Sequence, residues 1–219
     1  MSKIRAKPWL QGVSRRTLAD IQKTWSPEEI YNLITERAWH YKSNILSLQC
    51  RDRTFLSLLY LAAGRIGEIL SLIRSQFDLD TDPEFVIIHN MLTEKVGQSS
   101  RALPFREEFP LARTGILSKF TQLILEYILE LEPHQKLFPF NRQRGWQIAK
   151  YITGKWPHWF RAQGERLWGK QLKDIFALRD LLNVVNIATL GKYIRKEWRE
   201  DRDKLAPGSP EHKKEVPIK

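Results

Sequence analysis

Residues 63–72 read AGRIGEILSL, and this stretch decides the fold. A helix rich in Leu and Phe is predicted over about residues 52–63, and Gly64 ends it because glycine is a poor helix former. A second helix is predicted to begin at Arg65. Arg65 and Glu68 stand three residues apart and so share one face of that helix, where they can form an ion pair. The stretch therefore predicts two helices joined at Arg65, which could cap the second helix or pair with Glu68.

Around this junction, the patterns predict mostly helix. The sequence SPEE at residues 26–29 combines an N-cap serine, a proline at the first helical position and a capping-box glutamate. Strand character is limited to residues 85–88, with residues 102–105 as the candidate partner and residues 93–100 as the hairpin tip. Further helices are predicted over residues 117–131, 143–153, 157–167, 172–183 and 188–199. The predicted fold class is mainly α with a small antiparallel β-sheet (α+β).

Composition limits the kind of protein. The chain has 219 residues, 42% of them apolar, which is enough for one ordinary core. The apolar runs are too short for a membrane span of ~18 residues, and the lone Cys50 excludes an internal disulfide. Three segments are predicted: a basic N-terminal arm (1–25), a folded domain (26–200) and a flexible C-terminal tail (201–219).

The charge is strongly basic and unevenly distributed. The net charge is +11, and residues 136–173 hold nine Lys or Arg against one acid, together with four of the eight Trp. A charge run of one sign favours a polyanionic partner, chiefly nucleic acid, over an ordinary solvated surface. The candidate contacts are Arg101, Arg142, Arg144, Lys150, Lys155 and Lys170.

Four stretches resemble the tyrosine recombinase (phage integrase) family, in the family's order. Residues 63–72 resemble the box with the first catalytic arginine, here Arg65, and Lys95 followed by RALPF at 101–105 resembles the family's lysine hairpin. His158 and Arg161 match the family's H-x-x-R pair. Residues 181–193, LLNVVNIATLGKY, resemble the box that ends in the nucleophile, here Tyr193. The resemblance covers about residues 50–195 and implies the tyrosine recombinase catalytic-domain fold.

The resemblance also implies a reaction. The chain is expected to cleave and rejoin double-stranded DNA through a 3′-phosphotyrosyl intermediate, without metal, ATP or other cofactor. Arg65, Lys95, His158, Arg161 and Tyr193 are the expected catalytic residues. Two guanidiniums suit a phosphodiester because each presents a planar fork to two oxygens. A tetramer on DNA, joined through the C-terminal tail, is expected, in the cytoplasm at the nucleoid or in the host cell of a virus or plasmid.

One position departs from the family pattern. The family's second histidine falls on Val184, and valine cannot hydrogen-bond a phosphate. This leaves open an alternative, a recombinase-derived DNA-binding or accessory protein with impaired catalysis. A third interpretation, a helical nucleic-acid-binding module unrelated to recombinases, rests on charge and aromatic residues alone. It requires that the candidate catalytic residues do not converge in the structure.

Overall fold

The structure, a computed structural model, describes residues 23–36, 46–93, 105–172 and 174–182. Its first element is helix α1 (Pro27–Thr35). The Ser26 hydroxyl accepts a hydrogen bond from the Glu29 backbone N–H at 3.1 Å, and the Glu29 carboxylate accepts one from the Ser26 N–H at 2.7 Å. This reciprocal pair satisfies two N–H groups at the open end of the helix. The predicted helix start is confirmed.

Helix α2 (Leu46–Leu61) forms the centre of the core, and residues 54–61 are buried on every side of it. It begins at Leu46, so the prediction of a start near residue 52 was wrong. Asp52 is of a type common at helix starts, but here it lies within the helix and is fully buried. The Arg51 guanidinium, 2.8 Å from the Asp52 carboxylate, compensates for the buried charge.

A tight turn follows helix α2 and confirms the predicted break. Ala63 has a φ of 45°, in the left-handed region that L residues rarely adopt. A Cβ on Gly64 would lie 2.6 Å from the Cδ1 atom of Ile69, so only glycine fits without a shift of that side chain. The chain then enters the short helix α3 (Ile66–Leu70) and a 3₁₀ turn (Arg74–Gln76).

The sheet has three antiparallel strands, β1 (Phe77–Asp78), β2 (Phe85–Leu92) and β3 (Phe105–Ala112), in that spatial order. The predicted strand at residues 85–88 is confirmed and continues to Leu92. The two-residue strand β1 was not predicted, because it is too short to show a pattern. The strand that pairs with β2 covers residues 105–112. Of the predicted partner 102–105, only Phe105 lies within the described residues.

A kink at Asn90 changes which residues face the core. Val86 and Ile88 are buried, and strict alternation would bury residue 90, but Asn90 is exposed and Met91 is buried instead. Asn90 has a φ of 51°. The Gln76 side-chain amide donates to the carbonyl oxygens of His89 and Asn90, at 3.0 and 2.8 Å, and so holds the kinked backbone.

The kink predicts a specific stability effect. Asn90→Val should lower the free energy of unfolding by about 1–2 kcal/mol, because a β-branched residue tolerates a left-handed backbone poorly. Asn90→Gly is the matched control and should cost much less, since glycine adopts positive φ freely. Urea denaturation of the two variants beside the wild type measures the difference. Equal stability of the two variants would contradict the left-handed geometry at this position.

Four helices complete the described fold: α4 (Ser118–Ile128), α5 (Arg142–Thr153), α6 (Pro157–Gln171) and α7 (Ile175–Leu182). They confirm the predicted helices in type and place, while the helix predicted at 188–199 lies outside the described residues. Helices α4 and α6 pack on α2. The predicted class, mainly α with a small antiparallel sheet, is confirmed. No helix within the described ranges is long and apolar enough to cross a membrane.

Candidate active site

Of the two alternatives for Arg65, the ion pair with Glu68 is present, and the carboxylate is fully buried. Glu68 accepts a hydrogen bond from the Arg65 backbone N–H at 2.6 Å and another from the Arg65 Nη1 at 2.7 Å. Only 1% of the Glu68 side chain is exposed, against 33% of the Arg65 side chain. The guanidinium is therefore held in place from inside the protein and can still be reached from solvent.

Arg161 reaches the same carboxylate from helix α6. Its Nη1 lies 3.6 Å from the Glu68 Oε2, and its Nε lies 2.8 Å from the Glu165 Oε1 one helical turn away. A Cβ on Gly164 would lie only 2.0 Å from the backbone oxygen of Tyr60. Glycine at 164 thus allows α6 to approach the end of α2 closely enough to bring Arg161 to Glu68.

Arg106, on strand β3, is a third guanidinium at Glu68 and was not predicted from the sequence. Its side chain is 2% exposed, and its Nη2 lies 3.9 Å from the Glu68 Oε2. Its Nη1 donates to the carbonyl oxygen of Ala62 at 2.6 Å, at the carboxyl end of α2. Burial lowers the pKa of Arg106 to about 10, although the charge of Glu68 opposes this. The guanidinium stays charged at neutral pH.

His158 lies at the exposed edge of this cluster, at the start of α6. Loss of hydration lowers the pKa of His158 below its ordinary 6.5. The positive charges of Arg161 and Arg65 act in the same direction, and Glu165 acts against them. The charges of both arginines therefore act on His158. Because its pKa is below 6.5, the imidazole is neutral at pH 7. A neutral imidazole can accept a proton.

Comparison with known proteins finds similarity in fold but not in sequence. No protein-family model and no curated protein matches the chain. A XerH site-specific recombinase, solved with a palindromic difH substrate after cleavage, aligns with a TM-score of 0.56 and 17% identity over 89% of this chain and 56% of its own. XerA recombinase aligns with a TM-score of 0.54 and 17% identity over 84% and 64%.

A third structure, the Tn1549 transposon integrase in complex with transposon right end DNA, aligns with a TM-score of 0.50 and 12% identity over 84% of this chain and 66% of its own. The chain has the tyrosine recombinase catalytic-domain fold. It spans less than two thirds of the length of these recombinases. At these identities the likeness is one of fold alone.

The recombinase fold brings together three of the five predicted catalytic residues. Arg65 and Arg161 come from two separate parts of the sequence and meet at Glu68. His158 lies near enough for the charges of Arg161 and Arg65 to lower its pKa. Lys95 and Tyr193 lie outside the described residues, as does Val184. The convergence of the three residues argues against an unrelated helical module, because that interpretation required them to lie apart.

A shallow groove of about 450 Å³ opens beside His158 in the recombinase fold. It is lined by Ile66, Arg142, Gln143, Trp146, Trp156, Pro157 and His158. Trp146 is 49% exposed there, whereas Trp159 is fully buried in the core. Of the four Trp of the basic segment, Trp146 is therefore at the surface and Trp159 in the core, while Trp156 and Trp168 are half-buried against the core.

The predicted DNA contacts fall into two groups on this fold. Exposed side chains belong to Arg142, Arg144, Lys150 and Lys170. Lys155 is half-buried, and its ammonium lies over the rings of Trp25 and Trp159 at 5.1 and 5.2 Å. This cation–π arrangement gives Lys155 a structural role beside α6. Arg101 lies outside the described residues.

Proposed function

We propose that the chain is a site-specific DNA recombinase or integrase that cleaves and rejoins DNA through a 3′-phosphotyrosyl intermediate at Tyr193. The observation that supports this most is the meeting of Arg65 and Arg161 at one buried carboxylate, with a neutral His158 beside them. Paired, preoriented guanidiniums suit the binding of a phosphodiester and the charge that grows on it during attack.

The electrostatics of the site favour an anion. Three guanidiniums, those of Arg65, Arg106 and Arg161, meet two carboxylates, those of Glu68 and Glu165, which leaves one positive charge. A phosphodiester brings one negative charge, and attack at phosphorus adds to it. Because Arg106 and Arg161 are buried, these charges act through a medium less polar than water, where they are stronger. The site therefore stabilises the transition state without a metal ion or ATP.

Each proton and bond in the proposed reaction has an assigned residue. The Tyr193 oxygen attacks phosphorus and forms a P–O bond, while the bond to the 5′ oxygen breaks. His158 accepts the phenolic proton, and Lys95 donates a proton to the departing 5′ oxygen. The phosphotyrosyl bond conserves the energy of the phosphodiester, so a 5′-hydroxyl can later attack it and rejoin the strand.

The lowered pKa of His158 predicts the pH dependence of cleavage. As a proton acceptor, His158 acts only when neutral, and its pKa below 6.5 keeps it neutral at and above that pH. The rate of strand cleavage should therefore fall on the acid side only below pH 6.5. His158→Gln should lower the rate and remove this acid limb. An acid limb that persists unchanged in the variant would contradict the assignment.

DNA contacts are proposed on the exposed basic residues. Arg142 and Arg144 lie in the first turn of α5, where their charges are unfavourable to the helix dipole, and Lys150 and Lys170 extend the basic surface. Arg101 and Lys155 are proposed as further DNA contacts, and Lys155 also packs over the rings of Trp25 and Trp159. Such contacts make binding weaken steeply as salt rises.

Assembly and location are also proposals. Recombination between two DNA sites would need a homo-oligomer, a tetramer on DNA, with residues 201–219 as the contact between copies. The near balance of seven basic and six acidic residues over 196–219 suits a protein contact better than a DNA contact. The protein would act at the nucleoid in the cytoplasm, or in the host cell if a virus or plasmid encodes it.

The second candidate function is a DNA-binding accessory protein with impaired catalysis, and Val184 is the observation that favours it. Such a protein would bind DNA in a salt-sensitive way and form no covalent adduct. Val184→His would then restore a measurable rate of cleavage, because an imidazole can hydrogen-bond a phosphate oxygen. An active wild type excludes this candidate.

Covalent trapping tests the proposed function. Nicked suicide substrates made from the ends of the element that carries the gene lose a short 5′-terminated fragment after cleavage, so rejoining is blocked. Wild-type protein should accumulate a protein–DNA adduct that resists denaturation, with EDTA present and ATP absent. Absence of an adduct on all such substrates would overturn the enzyme assignment.

A further inference from the structure

We propose that Arg106 is a positioning residue that shares the charge of Glu68 and so leaves Arg161 able to bind the phosphate. This inference rests on the proposed function and adds a residue to its site. Glu68 holds three guanidiniums at unequal distances: 2.7 Å for Arg65, 3.6 Å for Arg161 and 3.9 Å for Arg106. A single buried carboxylate cannot fully neutralise all three.

The unequal distances determine which arginine is available. Arg65 makes the direct hydrogen bond to Glu68, whereas Arg161 stands back from it and has its Nε on Glu165. Among the described residues, the buried Nη1 of Arg161 has no hydrogen-bond partner. A buried donor without a partner costs free energy, and an anion that accepts from it recovers that cost. The Nη1 of Arg161 faces Glu68 and is itself buried, so it reaches a phosphate oxygen only after the guanidinium turns. Because no hydrogen bond holds Nη1 to Glu68, that turn breaks none there.

Arg106 accounts for that distance. The Arg106 Nη2 lies 3.9 Å from the Glu68 Oε2, the same oxygen that faces Arg161. Its positive charge therefore weakens the attraction between this oxygen and Arg161. Without Arg106, Glu68 would be shared by two cations, and Arg161 would be drawn onto it. The N–H groups of Arg161 would then hydrogen-bond Glu68 instead of the substrate phosphate.

Arg106 is also fixed by a separate bond. Its Nη1 donates to the carbonyl oxygen of Ala62, directly before the turn that carries Arg65. The kink at Asn90 turns Arg106 and Met91, which are paired across the two strands, toward the core. Strand β3 thus places the Arg106 guanidinium at the junction of α2 and α3, where Arg65 and Glu68 lie.

Single-turnover cleavage at saturating DNA provides the first test. Arg106→Met should lower the rate about 10- to 100-fold, the loss that follows when a residue that orients a metal ligand is replaced in metal sites, with unchanged DNA affinity. Arg113→Met is the matched control, because Arg113 is a half-buried arginine just past the end of β3 whose side chain donates to the carbonyl oxygens of Leu79 and Phe85. It should leave the rate per folded molecule unchanged.

A double-mutant cycle separates positioning from simple support of the fold. If Arg106 acts through Glu68, Arg106→Met should have little further effect on the rate in a Glu68→Gln background. If Arg106 only supports the Ala62 turn, the two effects should multiply. Multiplied effects, or a wild-type rate for Arg106→Met, would overturn the inference.

Arg106→Lys tests the same role in a variant that keeps a positive charge, so the result does not depend on whether the fold accepts a methionine at position 106. The charged groups that act on this position are Glu68, Arg161, Arg65 and Glu165. Burial lowers the pKa of the introduced ammonium from its usual value of about 10.4. The rate relative to wild type should therefore fall as the pH rises from about 7 to 9, because the positioning charge is lost. A constant ratio over that range would count against the inference.

Inorganic phosphate distinguishes failure of this inference from failure of the proposed function. Phosphate should raise the Tm of wild type and of Arg113→Met, and should raise it less for Arg106→Met and Arg106→Lys at high pH. A wild type that forms no DNA adduct would overturn the recombinase assignment, while the phosphate titration would still test Arg106. Equal phosphate-induced shifts in all variants would overturn the role of Arg106 alone.

Discussion

Tyr193→Phe is expected to abolish covalent capture of DNA and to leave DNA affinity unchanged. The phenolic oxygen is the proposed nucleophile, and phenylalanine keeps the ring while removing that oxygen. Suicide-substrate trapping measures the adduct, and binding to the same DNA at several salt concentrations measures the affinity. The combined result would separate loss of the chemical step from loss of binding or folding.

Tyr151→Phe is the matched control for this experiment. Tyr151 is 78% exposed on α5 and has no assigned part in the chemistry, so its variant should form adduct at the wild-type rate. If Tyr193→Phe formed an adduct as fast as wild type, the nucleophile would be another residue. The alignment of residues 181–193 with the family's last box would then be wrong.

The second large effect is expected at Arg161. Arg161→Lys should lower the rate of cleavage about 100- to 1,000-fold, as removal of one preoriented donor to a developing oxyanion does in other enzymes. An ammonium keeps the positive charge but cannot hold Glu165 and a phosphate oxygen at once, because it lacks the planar fork. Single-turnover cleavage at saturating DNA measures the loss.

Arg179→Lys provides the comparison for Arg161→Lys. Arg179 lies on α7 and pairs with Asp180 at the protein surface, so its replacement should leave the rate unchanged. A loss of less than about tenfold for Arg161→Lys would mean that charge alone suffices at this position. The geometric role assigned to the guanidinium would then be contradicted.

Much of the fold follows from short-range patterns in the sequence. The SPEE segment at residues 26–29 makes the reciprocal bonds that a capping box predicts. The break at Gly64 was predicted, and the ion pair of Arg65 with Glu68 was one of two alternatives, because helix propensity and the spacing of charges along a helix are local properties. The meeting of Arg65, His158 and Arg161 was predicted from the family resemblance and from no local pattern.

Features that depend on tertiary packing were missed. Arg106 stands next to Phe105 in a strand where residues 109 and 111 face the core, so alternation would place it outside. The left-handed backbone at Asn90 changes that alternation, and an asparagine alone does not reveal it. Lys155 stays a predicted DNA contact, and its place over the rings of Trp25 and Trp159 was not predicted, because those two residues lie far apart in sequence.

Peptide mapping of the trapped adduct tests the central claim most directly. After trapping on a suicide substrate, nuclease and protease digestion followed by mass spectrometry identifies the modified residue. We predict a single nucleotide-bearing peptide, with the 3′ phosphate joined to the Tyr193 oxygen, and its absence in Arg161→Lys after the same brief reaction. An adduct on any other residue, or an Arg161→Lys yield equal to wild type, would contradict the account.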